Sequence, residues 1–127
     1  MKAFGLLMSL FSLYSNSYSQ DYRRTNRETF EKSGYELVAF NHDSWLMFKH
    51  IKKENELVYV NMIDIYDDHY LIERNIVNCK NKTTKAIDQF ESINGSKEIR
   101  YVVDSDFEKF DFNTVQHTLF QFACRKN

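Results

Sequence analysis

The sequence predicts an α+β fold: an antiparallel β-sheet of about five to six strands, with a C-terminal α-helix packed on it and tethered by one disulfide. Three observations lead there. From Tyr35 onward the chain reads as runs rich in Val, Ile, Tyr and Phe, separated by short polar turns. Beyond residue 110 the apolar spacing lengthens from that of a strand to that of a helix. The only two cysteines, Cys79 and Cys124, fall at the end of one strand-like run and near the end of that helical stretch.

The first residues are expected to lie outside the fold. Lys2 gives a short positive start, Ala3 to Tyr14 form an apolar run, and Ser17 and Ser19 supply small residues at the spacing a signal peptidase requires. Residues 1–19 therefore read as a signal peptide, cut between Ser19 and Gln20; the alternative is an N-terminal amphipathic or core helix. The apolar run is about a dozen residues, short of the roughly 20 needed to span a bilayer. No cysteine lies near the cut, so a lipobox anchor is not expected. Residues 20–34, "QDYRRTNRETFEKSG", are a polar leader or a short helix. Residues 35–127 are expected to be a single sheet-plus-helix domain.

Within that domain the strand candidates are "YELVAF" (35–40), "WLMFKHI" (45–51), "LVYVNMIDIY" (57–66), "HYLIERNIVNC" (69–79), "TKAIDQFESI" (84–93) and "EIRYVV" (98–103). Their residues suit a pleated, half-buried surface. "NHDS", "KKENE", "DD", "KNKT" and "NGSK" separate them, and links this short favour antiparallel neighbours. Asn94-Gly95 is a strong hairpin signal, because both residues tolerate positive φ. In the last run Ile99, Tyr101 and Val103 alternate with Glu98 and Arg100. "LVYVNMI" is apolar on both faces, which predicts a central strand with something packed on each side.

The C-terminal stretch "DFNTVQHTLFQFACRKN" places Phe112, Val115, Leu119 and Phe122 on one helical stripe. Asp111 or Asn113 can cap its start, and Arg125 and Lys126 suit the negative end of the helix dipole. Cys124 lies at the edge of the apolar arc, beside Phe120, where it can reach a strand. An exported chain with an even cysteine count favours a Cys79–Cys124 disulfide over two buried free thiols. Neither C-x-x-C nor a His pair with zinc-ligand spacing is present, so no cofactor or metal is expected.

Composition bounds the function. Aromatics at 16% argue against disorder, and a formal net charge of −1 argues against a broad nucleic-acid footprint. The histidines His42, His50, His69 and His117 belong to no recognised catalytic motif. Asp64, Asp67, Asp68 and His69 in "DIYDDH" could bind a divalent metal, although a solvated turn is the commoner outcome of such a cluster. His42-Asp43-Ser44 has triad residue types, but consecutive residues cannot converge as a triad does. No catalytic residue is assigned and no enzyme is expected. Lys49, Lys52 and Lys53 with Lys80, Lys82 and Lys85 could form a basic patch for an acidic partner or a glycan, or a set of solvated turns. The aromatics Tyr35, Phe40, Trp45, Phe48, Tyr59, Tyr66, Tyr70, Phe90 and Tyr101 exceed what one helix on a sheet requires. Either they line a protein-binding surface or dimer seam, or residues 20–34 cover the second face.

The order of strands around "IVNCKNKTTKAIDQFES", followed by a helix ending in "FAC", resembles the surface-adhesin protein E family of small bacterial envelope proteins. The resemblance covers roughly residues 42 to 124 and rests on His42-Asp43-Ser44, Cys79-Lys80, the strand around Phe90 and the helical Cys124. It implies a sheet with a disulfide-tethered helix, often dimeric, that adheres to host extracellular-matrix or envelope proteins. Two departures stand out: the lipobox cysteine is missing, and "VVDSDFEKFDF" replaces a tryptophan expected before the last helix. The expected function is that of an exported, non-enzymatic binding protein, periplasmic or at the cell surface. The alternative is a periplasmic immunity or inhibitor protein whose partner is a cognate toxin or enzyme.

Overall fold

The protein is described by a computed structural model covering residues 21–40, 43–93 and 97–125. The expected signal peptide and the Asn94-Gly95 turn lie outside the described residues. One six-stranded sheet runs in sequence order: β1 (Glu36–Phe40), β2 (Trp45–Glu54), β3 (Leu57–Ile65), β4 (His69–Asn78), β5 (Thr83–Ile93) and β6 (Lys97–Val102). Every neighbouring pair is antiparallel. A helix α1 occupies residues 21–32, and α2 spans Val115–Cys124. The α+β architecture expected from the sequence is the one observed.

The meander follows from its links. Asn55 (φ +55°) turns β2 into β3, and Lys82 (φ +56°) turns β4 into β5. The amide of Tyr66 donates to the His69 carbonyl at 2.8 Å, closing the two-residue Asp67-Asp68 turn. β2 extends past its apolar run to Glu54, because Lys52, Lys53 and Glu54 stay in register with Tyr59, Val58 and Leu57. Backbone pairing sets the strand's end, while side-chain polarity only sets which face is wet.

β3 is central and packed on both faces, as its pattern predicts. On one face Leu46, Phe48, Val58, Val60 and Val77 meet Leu119, Phe122 and Ala123 of α2. On the other, Met47, Ile63 and Ile65 meet Tyr22 and Phe30 of α1, with Trp45, Tyr70 and Ile72 alongside. Burying side chains of this size contributes roughly 1.5–3 kcal/mol each. The question of the second face is thereby answered: residues 21–32 are a helix and cover one end of it.

α1 stops where its sequence tells it to. Gly34 adopts φ +97°, and its amide donates to the Glu31 carbonyl while the Tyr35 amide donates to Phe30, both at 3.0 Å. This is a Schellman closure, in which only glycine takes the left-handed position without cost. The Phe30 and Tyr35 rings meet edge-on at 5.6 Å, and Phe30 meets Tyr70 at 5.1 Å.

Two expectations need correction. The apolar stripe of the C-terminal helix begins at Leu119, not at Phe112. Asn113 is left-handed (φ +61°), so it cannot be the extended N-cap, and the chain before it leaves the helix axis. Thr114 caps instead, its hydroxyl accepting from the His117 amide at 3.2 Å. Phe112 is left 83% exposed. At the far edge of the sheet, Tyr101 of β6 and Val103 just beyond it are exposed. β6 is an edge strand, and α2 sits on β2 to β5, so no described element covers that corner.

Candidate functional site

Cys79 and Cys124 are joined, with Cα atoms 5.7 Å apart. Both sulfurs sit against the α2-side core, so the bond pins the helix to the end of β4. The same end of α2 is held a second way. Arg125 donates to Glu36 at 2.8 Å and lies over the Phe122 ring at 4.3 Å, linking the helix terminus to β1.

The histidines and acids singled out in the sequence are dispersed. The His50 ring pairs with the Phe122 carbonyl at 3.3 Å. His69 pairs with Asp68 at 2.8 Å and stacks on Tyr66. Asp67 pairs with Arg23 of α1, and Asp64 accepts from the Tyr66 hydroxyl at 3.0 Å. Burial, and then the bond to Asp64, push the Tyr66 phenol up from its ordinary value. Among the described residues no three His, Cys, Asp or Glu side chains gather as metal ligands would. His42 lies outside the described residues.

The α1-side face of the sheet carries a different constellation. Strand register lays its residues out in rows. Trp45, Ile65 and Tyr70 form one row, and Met47, Ile63, Ile72, Phe90 and Arg100 the next. α1 covers most of these, with the guanidiniums of Arg23 and Arg27 each 5.8 Å from the Trp45 ring. Beyond α1 come Lys49, Asn61, Arg74, Asp88 and Val102, then Lys52, Tyr59, Ile76 and Lys85. No described helix lies over these last two rows. Lys52, Arg74 and Val102 are exposed.

Each cation on or bordering this open half-face lies near an aromatic ring, and two are also ion-paired, Lys52 with Glu54 and Lys85 with Asp104, both at 3.1 Å. Lys49 is 5.7 Å from Tyr35, Lys52 is 4.5 Å from Tyr59, and Lys85 is 5.9 Å from Phe107. Arg74 and Arg100 flank Phe90 at 5.8 and 5.7 Å. Such contacts contribute about 0.5–1 kcal/mol each at exposed sites and hold long side chains in place.

Asp88 organises the two arginines. Its side chain is 1% exposed and accepts from Arg74 Nε and Nη2, and from Arg100 at 3.1 Å. It is hidden from water by what covers it rather than by depth, since both guanidiniums are themselves partly exposed. The Arg74 hydrogen bonds hold the Asp88 carboxyl below its ordinary range, against the opposing effect of burial, and Arg100 adds to this. The same bonds raise the Arg74 guanidinium still further. Two cations sharing one anion leave the cluster with a net positive charge facing solvent.

Of the lysines grouped in the sequence, Lys49, Lys52 and Lys85 share this face. Lys53 lies on the opposite face, and Lys80 and Lys82 lie in the β4–β5 turn. Arg74, Asp88 and Arg100 did not stand out in the sequence. No protein-family model, curated protein or solved structure matches this chain. The resemblance to the surface-adhesin protein E family thus rests on sequence motifs alone.

Proposed function

We propose that the chain is an exported, non-enzymatic binding protein that engages a protein partner through the open half of its α1-side sheet face. The observation that carries this reading is the set of cations seated on aromatic rings, with the Arg74–Asp88–Arg100 cluster at its centre. Arg, Tyr and Phe are enriched in protein interfaces, where rigid rings and forked donors lose little freedom on binding. The surplus of positive charge suits an acidic surface on the partner. The Cys79–Cys124 bond supports export, because such bonds persist in oxidising compartments. Together with the sequence resemblance, these features favour adhesion to a host-matrix or envelope protein.

The test is binding of the purified, oxidised protein to a panel of purified extracellular-matrix proteins. Lys52→Glu and Lys85→Glu change exposed or half-exposed charge on the open face without touching the Asp88 cluster. The double variant should bind at least tenfold more weakly, and wild-type binding should weaken with added salt. Matrix binding that neither salt nor these substitutions alter would rule out the face. Failure to bind any matrix protein, together with inhibition of a toxin or enzyme, would transfer the assignment to the inhibitor reading.

A further inference from the structure

A separate feature, independent of the open half-face, lies beside the N-terminal half of α2. The β4–β5 turn, the loop at 109–112 and α2 enclose a cavity of about 370 Å³. Phe110, Phe112, Phe120 and His117 line it, with Lys82 and Lys109 among them and no carboxylate in the lining. The rings stand at aromatic contact distances: Phe110 to Phe120 at 5.2 Å, Phe110 to His117 at 6.0 Å, and Phe112 to His117 at 4.8 Å.

We propose that this cavity binds a small planar aromatic carboxylate, its ring among the phenylalanines and its charge on Lys82 and Lys109. Three arguments converge. The volume falls at the lower end of the range typical of ligand sites, which suits a one- or two-ring molecule. The lining joins apolar rings to two cations, so the complementary occupant is an anion with an apolar body. Finally, the site is already formed. The Thr114 hydroxyl donates to the Asp111 carbonyl at 2.7 Å and caps α2, while left-handed Asn113 holds Phe112 at the cavity instead of in the helix. A phenyl ring 83% exposed gains apolar burial from an occupant that covers it. His117 Nδ1 accepts from the Asn113 amide at 3.3 Å, so the neutral ring carries its proton on Nε2, a further donor on the lining side chain. The disulfide one turn beyond Phe120 fixes α2 to the same turn that supplies Lys82.

The experiment is a titration of the oxidised full chain, followed by amide NMR, with 1-naphthoate and its uncharged analogue 1-naphthamide. Expected are saturable shifts at Lys82, residues 109–112 and His117, with naphthamide about five- to tenfold weaker. Phe112→Ala should weaken naphthoate binding by about tenfold with an unchanged melting temperature, because the ring is exposed and outside the helix. Lys82→Gln with Lys109→Gln should abolish the preference for the acid over the amide. Absence of shifts at millimolar naphthoate, shifts confined to other residues, or equal affinity for the two probes would each overturn the proposal.

Discussion

Removing the Cys79–Cys124 bond tests how this fold is held together. The bond closes a loop spanning 45 positions, which chain-entropy reasoning converts to roughly 4 kcal/mol at 25 °C. The local consequence is larger than that global figure suggests. α2 has ten residues, and isolated helices shorter than about 12–15 residues are marginal in water. Its docking rests on Leu119, Phe122 and Ala123, on the edge contact of Phe122 with Phe48 at 5.2 Å, and on Arg125 with Glu36. The two larger side chains contribute about 1.5–3 kcal/mol each, against the entropy of ordering the whole helix. A Cys79→Ser, Cys124→Ser variant should therefore lose about 4 kcal/mol in urea unfolding. At this chain length that corresponds to roughly 15 °C in melting temperature. Hydrogen exchange should show the α2 amides losing protection before those of β2 to β4. Coincident melting of the oxidised and reduced wild-type protein would refute the reasoning, as would α2 amides that stay as protected as those of β3.

Three further outcomes follow from named contacts. Asp88→Asn should cost about 2 kcal/mol at neutral pH, an amount limited by the exposure of both arginines. The folded-state pKa of Asp88 lies below its ordinary value of 3.8, so the aspartate's contribution is present above pH 3.8 and fades as pH falls through the lower folded value. The difference between wild type and variant in denaturant titrations should shrink in that acid window and stay constant from pH 5 to 8. Phe30→Ala, which removes the half-buried ring between Tyr35 and Tyr70, should cost about 2 kcal/mol and red-shift the fluorescence of Trp45 as α1 loosens. Thr114→Ala should cost about 1 kcal/mol by unsatisfying the His117 amide, measured by thermal unfolding.

Much of the fold was legible because the relevant signals are local. Strand runs, polar links and the helical spacing of Leu119 and Phe122 all act over a few residues. α1 was harder to read. Tyr22 and Phe30 are its apolar contacts, and the rest of its cover over Trp45 comes from Arg23 and Arg27, whose guanidiniums lie 5.8 Å from the ring. A guanidinium can lie over an aromatic face, so a polar sequence conceals a packed helix. The Asp88 cluster was hidden by a register shift. Asn78 pairs with Thr83, and continuing that register would set Arg74 opposite Ile87. A bulge at Ile87 instead brings Asp88 opposite Arg74 and turns its side chain to the same face. One inserted residue reverses every side chain beyond it, because the strand period is two.

The sequence by itself determined the fold class, the central place of β3 and the pairing of Cys79 with Cys124. Each depends on spacing along the chain and on an even cysteine count. Only the tertiary structure decided that residues 21–32 cover one end of the second face, that Phe112 turns out of the helix at Asn113, and that five cations stand near rings on the same face of the sheet. Those arrangements depend on register, on a left-handed residue and on guanidiniums laid over a ring. Each of these is settled by which neighbours the folded chain brings into contact.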